Sequence, residues 1–354
     1  MIESVNITVK KVAQSRRSQT DFSHLPFGNF FTDHMFMADF AEGEWNNLRV
    51  VPYGKIEVSP ATPAIHYGQS IFEGLKAHRG ASGEALVFRP LDNLRRMNRS
   101  ADRMCMPAIP EDVFMEGIKQ LIALDRQWIP EADGSSLYVR PFLFSSDEYI
   151  GIRPSLEFTF MVILSPVGPY YSAPVRVKIE THFTRAARGG TGYAKAGGNY
   201  GGSIYPAKLA QDQGYHQLLW TDGQTHEYIE ESGTMNVMFV IDGKIVTPEL
   251  SDSILPGITR DSVIQLATEW NIPVEERAIS VREVIDAINT GALTEAFGVG
   301  TAASISHIDT IGYNGQDYTL PPVSERAIAN RLYDELEGIK RGAREDKRGW
   351  IVTM

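Results

Sequence analysis

A single cysteine, Cys105, is all the thiol in this chain of 354 residues. Intrachain disulfides and cysteine-based zinc sites are thereby excluded, and the reducing cytoplasm is the expected compartment. Long apolar runs are equally scarce. The longest, residues 158–164, has strand length, well short of the roughly 20 residues that a membrane span needs. The first eleven residues hold no apolar stretch of the kind a signal peptide requires. Positive charge is in deficit: 34 Lys and Arg face 44 Asp and Glu, a formal net charge of −10, and no basic run offsets it. Neither a nucleic acid nor an anionic membrane is therefore expected as a partner. Internal repeats and low-complexity tracts are absent, and so are two catalytic signatures. His226-Glu227 is followed by Glu230 where H-E-x-x-H needs a second histidine, and no G-x-S-x-G occurs. No metal site is expected.

What is present suits a globular protein too long for one small core, and two domains are expected. The dividing point is the stretch 166–174, Pro-Val-Gly-Pro-Tyr-Tyr-Ser-Ala-Pro, whose three prolines and glycine should continue neither strand nor helix. That gives a smaller α/β domain at 1–165, a linker at 166–174 and a larger domain at 175–354. In the first, residues 85–89 read as a strand, and Asp92 as the cap of a helix carrying Leu94, Met97, Ala101 and Met104 at helical spacing. Its Arg95, Arg96, Arg99 and Arg103 should mostly be solvated. Pro110 opens a second helix with Phe114, Ile118, Leu121 and Ile122, and 136–144 and 157–165 are strands. In the second domain, strands are expected at 175–180, 216–221, 235–241, 244–247 and 295–299, with Asp242-Gly243 as a hairpin turn. Helices are expected at 203–213, 259–270, 281–289 and 324–340. The charged tail 341–348 should be loose or solvent-facing.

The most informative stretch is 189–202, Gly-Gly-Thr-Gly-Tyr-Ala-Lys-Ala-Gly-Gly-Asn-Tyr-Gly-Gly. Glycines on both sides of Lys195 let the backbone come close to a ligand. Lysine is the side chain that forms Schiff bases with carbonyl compounds, so Lys195 is a candidate anchor for an aldehyde cofactor such as pyridoxal phosphate. Glycine loops with lysine also cradle phosphates, but Ala196 follows the lysine, so the P-loop pattern fails. Lys195 also stands where G-x-G-x-x-G needs its third glycine. A pyridine nitrogen calls for a carboxylate, and Glu230-Glu231-Ser-Gly-Thr-Met-Asn puts an acid at a turn entering a strand. An ordinary solvated acid pair reads the same way. A phosphate calls for a helix N-terminus or an arginine, and Leu255-Pro-Gly-Ile-Thr-Arg leads into a helix start that suits an anion and equally an ordinary cap. The turn Gly298-Val-Gly-Thr-Ala-Ala adds N–H groups and a hydroxyl.

Together and in this order, these strings resemble the fold-type IV pyridoxal-phosphate aminotransferases, and within them the branched-chain amino acid aminotransferases. The resemblance spans about 27–340 and rests on Phe-Thr-Asp-His-Met (31–35), His-Tyr-Gly-Gln-Ser-Ile-Phe-Glu-Gly-Leu-Lys-Ala (66–77), Tyr-Val-Arg-Pro (138–141), Lys-Ala-Gly-Gly-Asn-Tyr (195–200), Glu-Ser-Gly-Thr-Met-Asn (231–236) and Leu-Pro-Gly-Ile-Thr-Arg (255–260). It implies a two-domain α/β (α+β) fold like that of D-amino acid aminotransferase, with pyridoxal 5'-phosphate as cofactor. It implies reversible, ping-pong transfer of an amino group between L-leucine, L-isoleucine or L-valine and 2-oxoglutarate. By position, Lys195 resembles the Schiff-base lysine and proton shuttle, Glu231 the partner of the pyridine nitrogen, and Tyr200 that of the phenolic oxygen. Arg96, Ile258, Thr259 and Thr301 resemble the phosphate ligands, with Arg185 close to the cofactor. Phe27, Tyr67, Phe72, Tyr138 and Tyr170 resemble an aromatic substrate pocket, which would recognise aliphatic side chains by burial, roughly 0.8 kcal/mol per methylene. Arg140 resembles the arginine linked to the glutamate carboxylate, and Thr234 and Ala302 resemble further substrate contacts. Ile150 and Ile152 resemble a loop that completes the neighbouring subunit's site, which implies a homodimer. The chain departs from members with a redox-active Cys-x-x-Cys, since Ala303 and Ser306 stand at those positions. Other fold-type IV enzymes, acting on D-amino acids or amines or as lyases, share the lysine and the glutamate. A phosphate- or nucleotide-binding protein without covalent chemistry would leave Glu231, Arg96 and the aromatic set unexplained.

Overall fold

The computed structural model describes residues 5–171 and 173–354. Residues 1–4 of the N-terminal stretch read above, and Ser172 of the proline-rich stretch, lie outside the described residues. The chain divides into two compact units. One comprises Met1–Tyr170, Ala194–Gly198 and Gly338–Met354, and the other Tyr171–Tyr193 and Asn199–Glu337.

The first unit is built on a sheet in the spatial order Thr8–Val9, Glu44–Pro52, His34–Ala41, Phe158–Val167, Ser136–Ser145, Leu75–Arg79, Ala85–Phe88 and Ile351–Thr353, with Ser70–Phe72 also pairing Ser136–Ser145. The helices Pro90–Arg103 and Glu111–Leu124 add further residues to its core. Leu94, Met97 and Ala101 are buried, as are Phe114, Ile118, Leu121 and Ile122, so the helical spacing reads correctly. Phe36 and Phe160, on adjacent strands, lie 6.0 Å apart in an edge-to-face contact. A Cβ on Gly117 would stand 2.6 Å from the Phe36 ring, so only glycine lets this helix settle at that distance.

Two expectations are corrected here. Asp92 does not cap its helix. The helix starts two residues earlier at Pro90, whose fixed φ and missing N–H suit a first turn, and Asp92 accepts from Arg89 and Arg95. The proline stretch does not stop its strand at once: Phe158–Val167 runs through Pro166, which pairs Leu137. A strand tolerates proline where its nitrogen owes no donor. The charged tail 341–348 is mostly solvent-facing, as expected. Arg341 donates to the Ser135 carbonyl at 3.0 Å, and Ile351–Thr353 pairs with Ala85–Phe88.

The second unit carries a sheet in the order Ile229–Ser232, Gln217–Thr221, Val175–Ile179, Ser304–Tyr313, Leu293–Gly300, Met235–Ile241, Lys244–Thr247 and Val274–Glu276. Ile229–Ser232 also pairs Met235–Ile241, so the first six strands close into a ring. The helices Ile258–Glu269 and Val281–Thr290 each bury one face. Met235–Ile241 and Lys244–Thr247 form the expected hairpin, with Asp242 and Gly243 both at positive φ, 49° and 76°. Among the described residues no helix is long and apolar enough to cross a membrane, and no cluster of His, Cys, Asp and Glu is arranged to hold a metal.

Candidate active site

The segment carrying Lys195 is grouped with the first unit, whereas the sequence division places it in 175–354. The physical reason is burial: Ala194 and Ala196 pack into the first unit's core on either side of the lysine. Its backbone is tied at both ends. Lys195 N–H donates to the Ser100 hydroxyl at 2.9 Å, and its carbonyl accepts from Phe72 N–H at 3.1 Å. The ammonium stands 4.9 Å from the centre of the Phe72 ring.

The same unit holds a connected set of aromatic rings. Phe27 meets Tyr138 at 4.8 Å and Tyr170 at 5.0 Å, both edge-on. Tyr138 and Arg140, two apart on one strand, share a face. The Arg140 guanidinium lies 4.7 Å from the Phe72 ring and 5.2 Å from the Tyr138 ring, and donates to the Tyr138 hydroxyl at 3.0 Å. Its buried Nε has no acceptor among the described residues. A Cβ on Gly74 would stand 2.1 Å from the Tyr138 oxygen, so the hydroxyl's place depends on that glycine. Burial pushes the Tyr170 phenol up from its ordinary range, and Tyr138 adds to the shift. Arg96 is buried, unlike its neighbours Arg95 and Arg99, and gives Nε and Nη2 to Glu73 at 2.7 and 2.8 Å.

In the second unit the two acids of the pair have different surroundings. Glu231 lies inside the strand Ile229–Ser232 and not at its turn, which is formed by Gly233 and Thr234. Adjacent strand residues point to opposite faces. Glu231 is 3% exposed, accepts from Leu255 N–H at 2.8 Å and Asn236 at 3.3 Å, and pairs with Arg185 at 3.1 Å. Glu230 instead accepts from the Ser253 hydroxyl, and burial raises its carboxyl pKa. Asn236 also donates to the Leu255 carbonyl at 2.8 Å, fixing the Leu-Pro-Gly turn beside Glu231. The helix Ile258–Glu269 opens at Gly257 with no side-chain cap, and Ile258 and Thr259 are buried in its first turn.

The remaining expected residues are more scattered. Thr301 and Ala302 are half-buried in the turn after the strand Leu293–Gly300. Thr234 is exposed at its hairpin tip. Tyr200 sits in the short helix Gly197–Gly201, its carbonyl accepting from Ser203. Tyr67 is exposed at the end of Pro63–Tyr67. Ile150 and Ile152 are 65% and 94% exposed on a loop pinned at its base by Asp147, which accepts from Leu156 and Glu157 N–H. The sequence reading passes over Ser100, Glu73 and Asn236. Ser100 does leave a signal, a hydroxyl between Met97 and Ala101 on the buried stripe.

Comparison with known proteins gives the family. Residues 70–311 match the family model described as amino-transferase class IV. The chain is 44% identical over 348 residues to branched-chain-amino-acid aminotransferase 2 of Bacillus subtilis, covering 97% of this chain and 96% of that protein. Its fold superposes on the Escherichia coli branched-chain amino acid aminotransferase with a TM-score of 0.73 at 28% identity, over 90% of this chain and 98% of that one. It also superposes on the branched-chain aminotransferase of the thermophilic archaeon Thermoproteus uzoniensis, solved with norvaline. There the TM-score is 0.72 at 27% identity, over 90% and 99% of the two chains.

Proposed function

The chain belongs to the class IV aminotransferases, and from that membership we propose that it moves an amino group reversibly between L-leucine, L-isoleucine or L-valine and 2-oxoglutarate. One observation carries the substrate reading. Phe27 joins the rings of Tyr138 and Tyr170, and Arg140 lies against Phe72 and Tyr138, its buried Nε lacking an acceptor among the described residues. Ring surfaces take an aliphatic side chain by burial, and the guanidinium takes the side-chain carboxylate that an apolar wall alone would reject.

The donor set fits pyridoxal 5'-phosphate. The first unit offers an amine on a tethered peptide and a buried arginine, and the second offers a buried carboxylate paired with arginine and a helix opening without a side-chain cap. Lys195 would hold the aldehyde carbon, Glu231 with Arg185 the pyridine nitrogen, and Tyr200 the phenolic oxygen. Arg96, Ile258, Thr259 and Thr301 would hold the phosphate. When bound, the cofactor supplies the electron sink that makes the substrate's Cα–H bond acidic. Lys195 Nζ would carry a proton from the substrate Cα to the former aldehyde carbon in one half-reaction, and from that carbon back to Cα in the other. The rings of Phe27, Tyr138 and Tyr170 exclude water from the side chain, and Thr234 and Ala302 orient the substrate. Two half-reactions on one enzyme give parallel double-reciprocal lines.

A homodimer belongs to this reading, with the exposed Ile150 and Ile152 of one copy completing the site of the other. A cytoplasmic location belongs to it as well, supported by the lone, exposed Cys105.

The holoenzyme should show a yellow band that bleaches with L-leucine alone and returns on adding 2-oxoglutarate. A band bleached by D-alanine and not by L-leucine would overturn the substrate. No band with added pyridoxal phosphate would overturn the cofactor. Arg140→Leu should lower kcat/KM for 2-oxoglutarate by roughly 10- to 100-fold, the cost of a buried carboxylate without its partner. The single-turnover rate with L-leucine should stay within about threefold. An equal loss for both substrates would show that Arg140 supports the pocket without selecting between them.

A further inference from the structure

Glu73 and Ser100 take no part in the roles assigned so far, yet both are fully buried and both touch residues that do. Glu73 presents its two oxygens to the Nε and Nη2 edge of Arg96 at 2.7 and 2.8 Å. That side-on grip fixes the plane of the guanidinium and turns its Nη1 end away from Glu73. Ser100 lies one helical turn beyond Arg96. Its hydroxyl donates to the Arg96 carbonyl at 3.0 Å and accepts Lys195 N–H at 2.9 Å, so donor and acceptor are both used. The Lys195 carbonyl in turn accepts from Phe72 N–H, and Phe72 precedes Glu73 in the chain. The path closes on itself: Lys195 to Ser100, along the helix to Arg96, across to Glu73, back one residue to Phe72, and again to Lys195. Every member lies in the first unit.

We propose that Ser100 and Glu73 are positioning residues, and that this closed ring sets the separation between the lysine amine and the arginine guanidinium. The inference rests on the reading of Lys195 as the aldehyde anchor and Arg96 as a phosphate ligand. A cofactor with an aldehyde at one point and a phosphate at another is then bound at two points, and two-point binding is strong only when the spacing of the two sites matches the ligand. Ser100 controls the spacing through the Lys195 peptide. Glu73 controls the direction in which Arg96 donates. The ring offers no proton relay and does no chemistry itself.

The test separates two-point from one-point binding. Apo-protein is titrated with three probes: inorganic phosphate, pyridoxal without its phosphate (trapped on Lys195 with borohydride and located by mass), and pyridoxal phosphate. For Ser100→Ala, phosphate affinity and pyridoxal trapping should stay within about twofold, while pyridoxal phosphate binds roughly tenfold more weakly, the loss expected for one hydrogen bond. The kcat of the loaded variant should fall while KM for L-leucine holds. Equal weakening of all three probes, or unchanged pyridoxal phosphate affinity, overturns the role of Ser100. Glu73→Gln keeps the shape and removes the charge. If Glu73 orients Arg96, inorganic phosphate binds this variant more weakly. Tighter phosphate binding would mean that Glu73 only neutralises Arg96, which overturns its role. If wild-type protein traps no pyridoxal on Lys195, the anchor assignment itself fails, and this inference falls with it.

Discussion

Lys195→Ala is expected to give a folded protein that holds no cofactor covalently, shows no yellow band and turns over roughly 10²–10⁴-fold more slowly from the lost proton transfer alone. The loss should be chemical, because little of the fold depends on this side chain. The segment is placed by its backbone, through Ser100 and Phe72, and by the buried methyls of Ala194 and Ala196. Alanine preserves all of these. Among what alanine would lose is the contact of the ammonium with the Phe72 ring, about 0.5–1 kcal/mol for a partly exposed pair. The melting temperature of the apo-variant should therefore stay within about 3 °C of wild type. The visible spectrum, mass after borohydride and a thermal melt decide the matter together. Transamination within tenfold of wild type by a clean preparation would remove Lys195 from the mechanism.

Parts of this molecule were legible because their signals are local. Asp242-Gly243 names its own turn, since both positions need positive φ. The stripes Leu94–Met97–Ala101 and Phe114–Ile118–Leu121 declare their faces by spacing alone. The strands His34–Ala41 and Glu44–Pro52 were not legible. Their connection places Glu42 at φ 55° beside Gly43, and glutamate is no turn signal. The site divides in the same way. Its strings name the candidate residues, but that Lys195 joins the first unit follows from two alanines fitting a core built far away in sequence. The side-on grip of Glu73 on Arg96 is likewise a contact between residues 23 apart, one at a strand end and one on a helix. No short-range pattern carries such a pair. Spacing alone left Glu230 and Glu231 alike, the resemblance favoured Glu231, and strand alternation now gives the two different partners, Ser253 for one and Arg185 for the other.

The choice between Glu230 and Glu231 can be tested by chemistry. Glu231→Gln should slow the single-turnover reaction with L-leucine by roughly 10²–10³-fold, the range for removing one preorganised electrostatic partner, whereas Glu230→Gln should change it by less than about threefold. Glutamine retains the shape of Glu231 and can still accept from Leu255 N–H and Asn236, so the turn at 255–257 should hold. It loses the charge that faces Arg185. That arginine keeps the carbonyls of Gly192 and Ser253 as acceptors, so the guanidinium stays in place. What disappears is the negative charge that stabilises a protonated ring nitrogen, and with it the means of drawing electrons out of the Cα–H bond. Proton removal from Cα should then limit the rate, and a primary isotope effect with Cα-deuterated L-leucine should grow larger than in wild type. Cofactor affinity should fall far less than the rate, since Lys195 and the phosphate ligands remain. A Glu231→Gln rate within threefold of wild type, or a larger loss in Glu230→Gln, would assign the pyridine nitrogen to a different group.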